Sequence, residues 1–90
     1  MIKNEVFIVK KEYSDYYTEI GLKIAYYRKL RGLTQEQLAE KVNKSWSFIA
    51  QIESTKINKG ISFDTFFDIS LALDISPYKF LLFDSEDLNI

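Results

Sequence analysis

The side chains that most often break and make bonds are missing from this sequence. Its 90 residues include no cysteine and no histidine. That removes thiolates, disulfides, the usual general base and the commonest metal ligand. Carboxylates, lysines and tyrosines remain, but no constellation of them marks a catalytic cleft, so neither an enzyme nor a metal or cofactor site is expected. Asp84, Glu86 and Asp87 read as a solvated acidic tail rather than a cation site. The informative residues lie between Leu33 and Glu53, where Gln35, Lys44, Ser45, Trp46, Ser47, Phe48 and Gln51 are threaded through a regular apolar set. Amides, hydroxyls and ammonium groups of this kind bind by hydrogen bonds and charge rather than by covalent chemistry.

Two short helices would position them. Thr34 is an N-cap with Gln37 three residues on, which completes a capping box, and Leu38, Ala39 and Val42 give the helix an inward face. Asn43 tolerates a positive φ, and Ser45 caps a following helix whose Ile49 and Ile52 point inward. Two helices that meet across so short a turn must cross near perpendicular for the second to project into a groove. Close crossing needs a small side chain on the first helix, which Ala39 supplies. Trp46, Ser47, Phe48, Ala50 and Gln51 are left facing outward.

Around this pair the chain reads as helical. A helix from Ser14 or Thr18 places Ile20, Ile24 and Tyr27 on one face, and Gly32 stops it in the left-handed conformation. Residues 54–61 form a loop. Ser62 caps a helix bearing Phe63, Phe66, Phe67, Ile69 and Leu73, with Asp64 in its first turn. Ser76-Pro77 opens a fifth helix that runs through Phe80, Leu81, Leu82 and Phe83. Residues 5–9 suit a strand or extended arm, although Ile2, Val6, Val9, Tyr13, Tyr16 and Ile20 also recur at helical spacing. The expected layout is an N-terminal extension (1–13), an all-α domain of five helices (14–83) and an acidic tail (84–90).

Composition agrees with a single packed domain. Hydrophobic residues make up 47% of the chain and aromatics 16%, which argues against disorder. The longest apolar run near the start, Val6–Val9, is too short for a signal core or a membrane span, so a soluble cytoplasmic protein with no membrane partner is expected. The net charge of −1 conceals a polar layout. Residues 20–60 carry eight basic side chains against three acidic, whereas residues 61–90 carry one against six. Such a layout can steer one face toward a polyanion, although blocks of this size also deviate by chance.

The run Thr-Gln-x-x-Leu-Ala-x-Lys-x followed by Ser-x-x-x-Ile-x-x-Ile-Glu resembles the phage-repressor (xenobiotic-response-element) type of helix-turn-helix family. The similarity extends forward to Ile20-Gly21, Ile24, Arg28 and Gly32, and back to Ser62, Phe66, Ile69, Ala72-Leu73 and Ile75-Ser76, covering about residues 18–83. It implies a five-helix lambda-repressor-like domain that binds a double-stranded DNA operator, usually as a homodimer on a pseudo-palindrome. Carried over by position, Trp46, Ser47, Phe48 and Gln51 stand where bases are read. Gln51 is the strongest of these, because a carboxamide can pair with adenine at two points. Gln35, Lys44, Ser45, Lys56, Asn58 and Lys59 fall on phosphate-contacting positions, which fix register without reading sequence. Arg28 and Glu53 match the family's inter-helix ion pair. Three positions depart from the pattern: Asn43 replaces the turn glycine, Lys44 an apolar residue, and Thr55 the glycine after Glu53.

Two aromatic positions stay open at this level. Phe48 either touches a thymine methyl or packs inward; Trp46 either presses on thymine methyls and deoxyribose or turns back onto the protein. Tyr13, Tyr16, Tyr17, Tyr26 and Tyr27 suit core and dimer packing better than stacking on single strands. The apolar run from Phe80 to Phe83 suggests a dimer contact, or else a fully buried terminal helix. The expected function is a sequence-specific transcription regulator, acting as a repressor by occupying a promoter, with no small-molecule ligand. The competing function is a protein-interaction module, antitoxin-like or adaptor, with weak or no DNA binding. Restriction-modification controllers, mobile-element repressors and antitoxins share the layout, and the sequence does not choose among them.

Overall fold

Hydroxyl groups decide where three of the helices begin. The computed structural model describes residues 9–57 and 59–83, which form α1 (Ser14–Leu30), α2 (Gln35–Lys41), α3 (Trp46–Glu53) and α4 (Phe63–Leu73). Thr34 Oγ1 accepts from the Gln37 amide at 3.0 Å while Gln37 Oε1 accepts from the Thr34 amide at 2.8 Å, closing the capping box at α2. Ser45 Oγ accepts from the Phe48 amide at 3.0 Å, and Ser62 Oγ from the Thr65 amide at 3.1 Å. Each such cap contributes about 1 kcal/mol.

Three helices end by one device. Gly32, Asn43 and Asp74 all adopt positive φ, at 75°, 58° and 56°. In each case the next residue donates back to a carbonyl five residues earlier: Leu33 to Arg28 at 3.1 Å, Lys44 to Ala39 at 2.9 Å, and Ile75 to Ser70 at 3.0 Å. These paired bonds satisfy carbonyls that the helix end leaves open. The stops at Gly32 and Asn43 follow the sequence expectation; the one at Asp74 was not foreseen.

The core gathers residues from every helix. Ile24 of α1, Leu38, Ala39 and Val42 of the α2 segment, Ile49 and Ile52 of α3, and Phe66, Ile69 and Leu73 of α4 are buried around Phe80. Phe80 meets Tyr27 and Phe66 edge to face, with ring centroids 5.3 and 5.7 Å away. Aromatic pairs at these angles stabilise beyond their buried area.

The fifth helix is a correction. Residues Pro77–Leu81 form a single 3-10 segment, not an α-helix through Phe83. Only Phe80 of the segment is buried, so little packing rewards a longer helix. Phe80 is also fully buried, which removes it from any surface contact, whereas Leu81 and Leu82 are exposed. Another 3-10 turn, Lys11–Tyr13, leads directly into α1. Most of the expected strand at 5–9 and the tail from Asp84 lie outside the described residues, and no strand forms within them. Tyr27 joins the core and Tyr16 packs 5.4 Å from Phe83, but Tyr13 and Tyr26 face solvent.

Candidate nucleic-acid interface

The placement of α3 depends on two close approaches. Ala39 is buried where α2 meets α3, as the sequence suggested. The second approach is at Gly21 in the middle of α1: a Cβ there would collide with the main-chain oxygen of Ile52. Glycine mid-helix costs about 1 kcal/mol against alanine, and here it admits the backbone of α3. In the sequence this contact shows only as a lone glycine inside a helical pattern, at a position that the family likeness also covers.

A buried ion pair locks the same crossing. Arg28 grips Glu53 at two points, Nε to Oε2 at 2.7 Å and Nη2 to Oε1 at 2.8 Å, and its Nη1 donates to the Leu33 carbonyl at 2.8 Å. Arg28 is only 7% exposed, so its role is structural and it does not reach an external phosphate. The expected Arg28–Glu53 pair is therefore present, with the carbonyl of the α1–α2 turn as a third partner.

From Glu53 a polar chain runs outward. Gln35, the first residue of α2, donates through Nε2 to Glu53 Oε1 at 2.9 Å. Its Oε1 accepts from the Trp46 indole Nε1–H at 3.1 Å. One Nε2–H of Gln35 remains for an outside acceptor such as phosphate. Trp46 is bonded back to the protein but not covered by it, being 59% exposed at the start of α3.

Beside this chain stands a cationic cluster. The Phe48 ring is half-buried against the core, with Lys44 Nζ 5.3 Å and Lys59 Nζ 5.1 Å from its centroid. Ammonium groups at such distances are attracted to the ring. Lys44, which replaces an apolar residue of the family pattern, thus brings its charge to the Phe48 ring. The Phe48 ring therefore meets the core on one side and holds two lysines. Ser47 is exposed and Gln51 half-buried, and neither side chain is bonded to a described residue. Ser45 Oγ accepts the Phe48 amide in capping α3, and its O–H can still donate. Lys56 is exposed in the following loop, where its amide donates to Ser54 Oγ at 3.1 Å. Asn58 lies outside the described residues. Among the described residues no group of carboxylates is arranged to hold a metal ion.

The arrangement is a helix-turn-helix: a supporting helix, a left-handed turn, and a second helix with one face free of the protein body. A helix-turn-helix family model matches residues 24–80, more than half of the chain. The chain belongs to this family, in its phage-repressor type, whose members are DNA-binding transcription regulators.

Solved structures agree. The master regulator for biofilm formation SinR, solved in complex with DNA, is 32% identical with a TM-score of 0.64, covering 70% of this chain and 98% of that one. The restriction-modification controller protein C.AhdI from Aeromonas hydrophila is 24% identical with a TM-score of 0.70, over 76% of this chain and 96% of that one. The clp gene regulator ClgR from Corynebacterium glutamicum is 23% identical with a TM-score of 0.69, over 73% and 68%. The last two establish the fold alone. No curated protein matches the sequence significantly. Among the described residues no helix is long and apolar enough to cross a membrane.

Proposed function

We propose that this regulator reads a specific double-stranded DNA operator through α3, as a homodimer, and represses by occupying a promoter. The observation that carries the proposal is the free face of α3, where Trp46, Ser47 and Gln51 stand clear of a helix crossing locked by Gly21, Ala39 and the Arg28–Glu53 pair. Ser47 and Gln51 supply hydrogen bonds to base edges, and Gln51 suits adenine. Phe48 acts through the lysines it gathers rather than by touching a base. Lys44, Lys59 and Lys56 neutralise phosphates, the free Nε2–H of Gln35 and the N-terminal end of α3 at Ser45 add hydrogen bonds, and Asn58 is assigned to the same role by its sequence position alone. The similar SinR domain is in complex with DNA, which supports this reading.

The argument for a second copy starts from length. An eight-residue recognition helix meets few base pairs, and two copies double the reading frame. A surface for pairing is available on α4, where Phe63, Phe67 and Leu71 form a ridge at four-residue spacing and Leu71 is 80% exposed. Tyr78 and Leu82 are exposed nearby in sequence. Of the run Phe80–Phe83 expected to make a dimer contact, Phe80 belongs to the core while Leu81 and Leu82 remain exposed.

Selection of bound sites from a random double-stranded DNA pool tests the proposal. The expected product is a symmetric motif with half-sites about one helical turn apart. A single unpaired motif would remove the dimer. No enrichment at any salt concentration would favour the interaction-module reading, for which the exposed Trp46 and the apolar ridge on α4 are the supporting observations.

A further inference from the structure

Resting on the proposed DNA reading, we infer that Trp46 is a specificity-determining residue that recognises the 5-methyl group of thymine, and that Gln35 confines it to that role. Indole has a single hydrogen-bond donor and no acceptor. In this structure the donor is spent inside the protein, on Gln35 Oε1 at 3.1 Å. Nothing polar is left on Trp46 to read a donor or acceptor pattern. What it presents to a groove is a carbon edge and a π-face, 59% exposed. The apolar group on the major-groove edges of the four base pairs is the thymine methyl.

Gln35 cannot readily release the indole. Its Nε2 is held on Glu53 Oε1 at 2.9 Å, and Glu53 is held at two points by the buried Arg28. Turning the carboxamide over would set its N–H group against the indole N–H and its carbonyl against the Glu53 carboxylate. Both contacts would be repulsive, so the carbonyl stays toward Trp46. The order Arg28–Glu53–Gln35–Trp46 therefore carries the rigidity of the core to one aromatic ring at the surface. A flexible indole would sample many apolar contacts; a pinned one distinguishes a base with a methyl from one without.

The experiment uses the full chain and the operator obtained by selection. Each thymine is replaced in turn by deoxyuridine, which lacks only the methyl group, and binding is measured for wild type, Trp46→Ala and Gln35→Leu. For wild type, one thymine in each half-site should lose about fourfold in affinity per half-site, the weight of one buried methyl. Trp46→Ala should bind the thymine and deoxyuridine operators equally at that position. Gln35→Leu keeps the indole but frees it, and should show a smaller ratio than wild type. Wild-type protein that binds every deoxyuridine operator as tightly as the parent overturns the inference, whether or not the variants fold. A methyl effect that persists undiminished in Trp46→Ala assigns the contact elsewhere and also overturns it. Both results leave the DNA-reading proposal standing, whereas failure to enrich any operator removes the two together.

Discussion

Glu53 accepts three hydrogen bonds, two from Arg28 and one from Gln35, while its side chain is only 5% exposed. A carboxylate so enclosed depends on its partner. Arg28→Ala should lower stability by about 3–5 kcal/mol, read from urea unfolding, because the charge left behind is neither solvated nor paired. A loss below about 1 kcal/mol would mean that water replaces the guanidinium. Gln51 is the opposite case, since no hydrogen bond ties its side chain to a described residue. Gln51→Ala should leave unfolding unchanged and cost about 1–3 kcal/mol on the preferred operator, with preference relaxed at one base pair. Binding equal to wild type would exclude Gln51 from sequence readout.

At the level of elements, the close passage of α1 and α3 at Gly21 couples stability to binding. Gly21→Ala should destabilise by about 1–3 kcal/mol through overpacking and should also weaken operator binding, because the methyl pushes α3 off its seat. Loss of stability with undisturbed affinity would show that α3 adjusts locally. What could be read in the chain beforehand follows the range of the interactions involved. The caps at Thr34, Ser45 and Ser62 and the stops at Gly32 and Asn43 are decided within four or five residues, so their side chains announce them. The ion pair of Arg28 and Glu53 was legible only through family likeness, since no local pattern links positions so far apart. The bond between Trp46 and Gln35 depends on how two helices are set against each other, and the outward or inward fate of the indole stayed open for that reason. Pro77 marks a helical start without stating which hydrogen-bond ladder follows. Burial of Phe80 alone decided in favour of the shorter form.

For the whole molecule, basic side chains gather around α3 while α4 carries Asp64, Asp68 and no basic residue. Lys59 belongs to the basic set through its place on Phe48. Lys59→Ala should weaken binding to all DNA sequences alike and flatten the plot of log affinity against log salt by about one unit. An unchanged slope would take Lys59 off the phosphate backbone. Arg31 has a consequence of another kind. Its Nε and Nη2 reach the carbonyls of Leu73 at 2.7 Å and Asp74 at 2.9 Å, so the final turns of α1 and α4 meet at one guanidinium. Each of those ends concentrates partial negative charge, and the arginine is a counterion shared between two macrodipoles. Arg31→Gln would leave two like-signed poles face to face in partly screened surroundings. The melting temperature of that variant should therefore approach wild type as sodium chloride is raised, and a gap constant from low to high ionic strength would mean that the poles do not repel.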